Sequence, residues 1–334
     1  MRRSRATLAE VADLATLARA FWRAARGKRT CPEVIDFADH LDRRLAELGR
    51  SILDGTVEVG EMRSFEIRDP KQRTIHAPCF RERVLHHALI EKIGPPLDLA
   101  LVDDSFACRA GKGTLAAVLR AQRHIRRFPW YLKIDVRAYF ASVDHEVLRA
   151  ALRRKLRDRG VLRLCDRIIA SHAASPGRGL PIGALTSQHF ANYYLAPLDR
   201  LILEGLRAPA MVRYMDDVVV WCHSGAEARA LLRALDAFTA DALRLTLKPA
   251  QIQRSERGVS FLGFRVLPGA LRLSRRRRRR YAAARRRLER DRATGAIDAA
   301  ALQAGIDAAL AITAHADARG WRRAELRRRP AMDA

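Results

Sequence analysis

Acidic side chains are in short supply in this chain. Its 334 residues carry 37 Asp and Glu against 63 Lys and Arg, a formal net charge of +26 at pH 7. That imbalance speaks against a compact neutral enzyme. It favours a polyanionic partner, with nucleic acid first and an anionic membrane surface second. Cysteine is scarce as well. The five thiols, at 31, 79, 108, 165 and 222, are scattered, with no C-x-x-C and no Cys/His pair at zinc spacing. They read as reduced thiols of a cytoplasmic protein, not as a disulfide framework or a zinc site. No apolar run reaches the roughly 18 residues of a membrane span. The opening "MRRSRATLAEVADLATLARAFW" begins basic, but Glu10 and Asp13 interrupt it and it lacks the apolar core of a signal peptide. No internal repeat is visible.

Apolar residues make up 49% of the chain, enough for a substantial core. Leu8, Val11, Leu14, Leu17 and Phe21 fall at helical spacing and predict a helical N-terminal extension over 1–54. "RSFEIRDPKQRTIHAP" predicts a hairpin around Asp69-Pro70, its tip rich in Arg68, Lys71 and Arg73. "RERVLHHALIEKI" predicts a helix stopped by Gly94-Pro95-Pro96. "WYLKIDVRAYF" reads as a strand ending on Asp135. A helix follows over 142–156, capped by Ser142 or Asp144. Residues 173–179 read as a loop, 184–206 as a long helix bent at Pro197, and 225–244 as an amphipathic helix. Residues 257–273 predict a second hairpin turning at Pro268-Gly269, and 275–330 a very basic helical region. Strands flanked by helices, with antiparallel hairpins, indicate an α+β architecture with a palm-like sheet.

One segment breaks its own pattern. "RYMDDVVVWC" reads as buried strand, yet Asp216 and Asp217 stand side by side within it. Hairpin turns favour Asn-Gly or Asp-Gly, not Met-Asp-Asp. Adjacent carboxylates repel unless a cation neutralises them, and a hard, oxygen-seeking cation such as magnesium suits them. Asp135 ends another strand-like run. If the two strands are sheet neighbours, Asp135 and Asp216 face each other, and a two-metal site for phosphoryl chemistry becomes possible. Alone, Asp135 would be an ordinary strand-end or capping residue.

"RYMDDVVV" resembles the Y-x-D-D signature of reverse transcriptases. The likeness extends to six further blocks in order over roughly 55–270. These are "KQRTIHAPCFRERVLHHAL", "DSFACRAGKGT", "DVRAYFASVDHEVL", "GLPIGALTSQHFANYYLAPLD", "LRLTLKPAQIQ" and "VSFLGF". The resemblance implies a right-hand polymerase fold. Its expected parts are the N-terminal extension over 1–54, fingers over 55–130, a palm over 131–270 and a basic helical thumb over 271–330. It also implies an RNA-directed DNA polymerase using two Mg2+ ions, deoxynucleoside triphosphates, template RNA and its hybrid with cDNA. Asp135, Asp216 and Asp217 match the metal-binding aspartates, with the Val136 carbonyl as a further ligand. Lys248 matches a lysine that protonates the leaving pyrophosphate. Arg68 and Arg73 match fingertip cations that hold the triphosphate, a role guanidinium suits. Tyr139 matches the aromatic that excludes a ribose 2′-hydroxyl. Without the family, these last three read as a solvated hairpin tip and a core aromatic.

Ile182, Gly183, Ser187 and Gln188 form I-G-x-x-x-S-Q, where most relatives carry glutamine before the glycine. This pattern is similar to the reverse transcriptases of diversity-generating retroelements, bacterial or phage systems that copy template adenines with frequent errors during mutagenic retrohoming. Isoleucine cannot hydrogen-bond near the nascent pair, and a looser hold lowers selectivity. Otherwise Ile182 simply packs. That family also implies a small basic accessory protein. The chain leaves no room for a maturase or endonuclease domain after the thumb, which favours this subtype over a full group II intron protein. Short retron, intron-related or phage-defence enzymes fit the length too. "SRRRRRRYAAARRRLERDRATG" (274–295) would lie along the template–primer duplex and contact its backbone irrespective of sequence.

Overall fold

The computed structural model describes residues 3–68 and 72–330. The N-terminal region is helical as expected, but it is four helices: α1 (Leu8–Ala12), α2 (Leu14–Ala25), α3 (Pro32–Asp39) and α4 (Leu41–Leu53). Thr7 and Glu10 form a capping box on α1, and Asp13 accepts from the Thr16 amide to start α2. This second cap resets the helical phase. Val11, Leu17 and Phe21 are buried, whereas Leu14, placed on the same stripe by spacing, is 53% exposed.

Strands β1 (Met62–Arg68) and β2 (Gln72–Pro78) form the expected antiparallel hairpin. Asp69, Pro70 and Lys71 lie outside the described residues. Helix α5 (Phe80–Asp98) runs through Gly94-Pro95-Pro96 instead of stopping there. The prolines remove two backbone donors, but Ile93 and Leu97 on the same turn are both buried, and that packing holds the last turn helical. Helix α6 (Thr114–Arg127) follows.

The centre is a four-stranded, wholly antiparallel sheet in the order β4-β5-β3-β6. It comprises β3 (Trp130–Ile134), β4 (Ala210–Tyr214), β5 (Asp217–Cys222) and β6 (Gln251–Arg254). Both faces of β4 and β5 are covered, which is why these two strands read as largely apolar runs, whereas the edge strand β6 is Gln-Ile-Gln-Arg and partly exposed. Leu132, Ile134, Val218, Val220 and Cys222 point into the core that includes the N-terminal helices. Tyr131, Val219 and Trp221 point the other way, into a second core with Val118, Ala121 and Ile125 of α6. Between β3 and β4 lie α7 (Tyr139–Ser142), α8 (His145–Lys155), α9 (Arg159–Ala170), α10 (Leu185–Tyr194) and α11 (Ala196–Arg200). Of the two candidate caps for α8, Asp144 is the one used, accepting from Glu146 and Val147. The helix predicted over 184–206 breaks at Leu195, two residues before Pro197, and ends in a π turn over Leu201–Gly205. Pro197 sits in the first turn of α11, where its missing amide costs no helical bond, so the break falls N-terminal to the expected bend.

Helix α12 (Gly225–Asp241) packs on the central sheet. The predicted second hairpin is a three-stranded meander of β7 (Val259–Phe261), β8 (Phe264–Val266) and β9 (Leu271–Leu273). The extra turn is Leu262-Gly263, with φ of +48° and +84°. Two central residues in the left-handed region match the twist of a tight hairpin. The chain continues with α13 (Arg275–Ala293), α14 (Ala299–Ala311) and α15 (Arg319–Arg328).

Candidate active site

The turn joining β4 to β5 consists of Met215 and Asp216, closed by the Tyr214–Asp217 pair. Met215 sits at φ +54°, a costly conformation for a side chain of that size. A buried network holds it there. The Arg213 guanidinium donates to both carboxylate oxygens of Asp199 at 2.6 Å, to Asn192 Oδ1 at 2.8 Å and to the Met215 carbonyl at 3.1 Å. Arg213 and Asp199 are both fully buried. These residues escaped the sequence reading. The available signal was an arginine inside an otherwise apolar strand, two residues before the turn.

Strands β3 and β5 are neighbours, with Ile134 opposite Val218, so Asp135 emerges beside the turn. Burial and the adjacent Asp135 carboxyl push Asp216 up to about 7. Burial is the larger cause and the like-charged Asp135 carboxyl the next, while the Lys248 ammonium acts in the opposite direction. Burial also raises Asp217, against the lowering influence of Lys133, whose ammonium lies 3.1 Å away. Residues 131, 133, 217 and 219 share one face of the sheet, and this places Lys133 on Asp217. Lys133 also donates to the Ser260 carbonyl at 2.7 Å, tying β3 to the meander.

Lys248 arrives on an antiparallel extension of β3. Its amide donates to the Asp135 carbonyl and its ammonium lies 2.7 Å from Asp135 Oδ2. Val136, opposite Leu247 in that extension, is buried. Among the described residues, no three His, Cys, Asp or Glu side chains converge closely enough to enclose a metal ion. Of the expected triad, Asp216 lies against Asp135, and Asp217, which also feels the Asp135 charge, faces Lys133. The donors still suit a hard divalent cation. Burial and the neighbouring Asp135 carboxyl drive Asp216 towards protonation, and Asp217 Oδ1 is buried with the Lys133 ammonium 3.1 Å away and no well-aligned hydrogen bond.

Tyr139 lies buried beneath the turn, within reach of the Arg213 and Asp216 charges. It is 3% exposed, and its hydroxyl donates to the Ala191 carbonyl. A side chain that senses a sugar must present accessible surface, and here the half-buried ring is its neighbour Phe140. Tyr139→Phe should therefore cost about 1 kcal/mol of stability for the lost buried hydrogen bond. It should leave discrimination between deoxy- and ribonucleotides unchanged, as read by chemical denaturation and by paired incorporation assays.

Gly183 has φ +127°, and a Cβ there would meet the His76 carbonyl at 2.8 Å. The His76 amide donates to the Ile182 carbonyl at 2.7 Å. The loop before α10 is thus clamped against β2. Gln188, on the exposed side of α10, lies 3.7 Å from Cys108 Sγ. Arg68 and Arg73 are exposed at the turn end of the β1–β2 hairpin. A cleft of about 580 Å³ joins Arg73 to Lys133, Asp217, the Leu262-Gly263 turn, and Arg276 and Arg277 of α13. Its walls are cationic around one carboxylate, Asp217, a setting that suits an anionic ligand.

Residues 67–266 match the family described as reverse transcriptase (RNA-dependent DNA polymerase). The group II intron-encoded protein LtrA of Lactococcus lactis subsp. cremoris, and its counterpart in strain MG1363, are each 23% identical over 192 residues. The match covers 54% of this chain and 32% of theirs, so the chain spans about a third of the length of these curated relatives. Among solved structures, apo telomerase from Candida tropicalis is similar with a TM-score of 0.49 at 9% identity, over 65% of this chain and 49% of that one. A form of it truncated from the C-terminal domain gives 0.46 at 12% identity, over 64% and 55%.

Proposed function

This chain belongs to the reverse transcriptase family, and from that premise we propose that it copies RNA into DNA in a diversity-generating retroelement. The observation that carries the catalytic part is the meeting of Asp135 and Asp216 at the sheet end, beside a cationic cleft. In this reading the β1–β2 hairpin belongs to the fingers (55–130), the central sheet to the palm (131–270) and α13–α15 to the thumb (271–330). Residues 1–54 form an extension. Asp135 and Asp216, with Asp217 and the Val136 carbonyl, would hold Mg2+. When bound, Mg2+ supplies charge stabilisation for the attacking and leaving oxygens. The primer 3′ hydroxyl gives its proton to solvent, its oxygen forms a bond to the α-phosphorus, and the bond from that phosphorus to the pyrophosphate oxygen breaks. Lys248, one hydrogen bond from Asp135, is positioned to deliver a proton to the leaving group. Arg68 and Arg73 hold the triphosphate. Template RNA and the growing hybrid follow the cleft, and a small basic accessory protein completes the assembly.

The retroelement part rests on Ile182. Its backbone is pinned by His76, while its side chain offers no hydrogen bond near the α10 loop. Magnesium-dependent primer extension on RNA, followed by sequencing of the cDNA, tests both parts. Errors should cluster opposite template adenines, and Ile182→Gln should lower them several-fold without reducing total synthesis. The similarity to group II intron-encoded proteins favours one alternative, a faithful polymerase of an intron relative. Uniformly low error at all four template bases would establish it.

A further inference from the structure

The arginines at the start of α13 do not face one way. At about 100° per residue, Arg276, Arg277 and Arg280 fall on one side, and these line the catalytic cleft. Arg275, Arg278, Arg279, Ala282 and Arg286 fall on the other, in the i, i+3, i+4, i+7 series that makes one helix face. There they meet α15 in a separate groove of about 450 Å³, which adds Trp321, Glu325, Arg328 and Arg329. The two sets of lining residues share no member.

Six arginines face this groove against one glutamate. Glu325 lies 3.9 Å from Arg329, and no ion pair among the described residues engages Arg275, Arg279, Arg286 or Arg328. Crowding uncompensated guanidinium groups costs stability, so a polyanion seated there would relieve a strain the fold otherwise bears. Trp321 adds a second feature. Its ring is half-buried, packed edge-on to Tyr281 at 5.6 Å, with the Arg278 guanidinium 5.6 Å from its centroid. An indole held among guanidinium groups offers a base a stacking surface while the arginines hold phosphates. From Arg275 to Arg286 the helix rises about 16 Å at roughly 1.5 Å per residue, long enough for several successive phosphates.

We propose that the α13–α15 groove is a second RNA-binding surface, which grips template RNA outside the hybrid held in the cleft. This rests on the reading of the chain as an RNA-copying polymerase. Charge and stacking surface together favour RNA over an acidic protein.

The test compares the intact chain with a variant carrying Arg279→Gln, Arg286→Gln and Arg328→Gln, changes that keep the side-chain stems. Anisotropy measures binding of a folded RNA hairpin between about 50 and 200 mM salt. Primer extension on a short RNA–DNA duplex measures the cleft. The variant should bind the hairpin roughly tenfold to a hundredfold more weakly, with its salt slope reduced by about 2 to 3, while short-duplex extension stays within about twofold. Unchanged hairpin affinity and slope would overturn the proposal. So would an equal loss in both assays, because the groove would then serve the cleft. Unchanged RNA binding combined with loss of poly-glutamate binding would assign the groove to an acidic protein instead. If the intact chain extends no primer, the polymerase reading fails, while the binding arm still decides the groove.

Discussion

Asp216→Asn should abolish primer extension, by about a thousandfold or more, while leaving the metal-free protein at least as stable as the parent. The loss follows from removing one of the two carboxylates that meet at the sheet end. Charge stabilisation at a two-metal site is worth several kcal/mol, and each 1.36 kcal/mol is about tenfold in rate. The stability gain follows from linkage. Asp216 is raised from 3.8 to about 7 in the folded state. It therefore favours folding only while protonated. Its favourable contribution is complete below the unfolded value and is lost as pH rises through about 7. Asparagine carries no such charge, so the variant should lack this decline, visible as a flatter dependence of Tm on pH between about 4 and 8. Mg2+ should compete with the proton on this pair, so its binding to the parent should tighten as pH rises through about 7. Full extension by Asp216→Asn would remove the carboxylate pair from the chemistry.

Arg213→Met should be the most damaging change outside the pair. It leaves the Asp199 carboxylate fully buried without its partner, a loss of about 3 to 5 kcal/mol. A stability loss alone would not show what Arg213 does for the site. The informative variant is Asp199→Leu with Arg213→Met, since buried ion pairs exchanged for apolar side chains are often neutral. The double variant should recover most of the stability, read by denaturant midpoint. It should still extend primers about a hundredfold more slowly, because the Met215 carbonyl and Asn192 lose the donors that hold the turn. The defect should fall on kcat more than on KM, since the misplaced group is Asp216 and not a nucleotide contact. Recovery of both stability and rate would make the Arg213–Asp199 pair purely structural.

Much of this site was legible before any coordinates. Two acids in an apolar strand violate the alternation that burial demands, and such violations mark function. Asp135 at the end of a second apolar run was findable for the same reason. The network beneath the turn was not, because a single arginine in a strand looks like a surface residue until both sheet faces prove covered. Tyr139 and Phe140 show the limit most clearly. Two adjacent aromatics look equivalent in sequence, and only the packing of α7 against α10 decides which is buried. The arginine run is similar. Its charge was evident from composition, but its division into a cleft face and an α15 face depends on where α13 and α15 pack.

The sequence by itself determined most of the helices, the antiparallel hairpins and the two acidic positions, because these depend on local periodicity and on short-range exceptions to it, while β6 and α6 went unread. Tertiary structure decided which carboxylates meet, which cation each one faces and which aromatic stays in the core. Those outcomes depend on the order of strands and on what covers each face. Such contacts join positions scores of residues apart, and no local pattern encodes the distance between them.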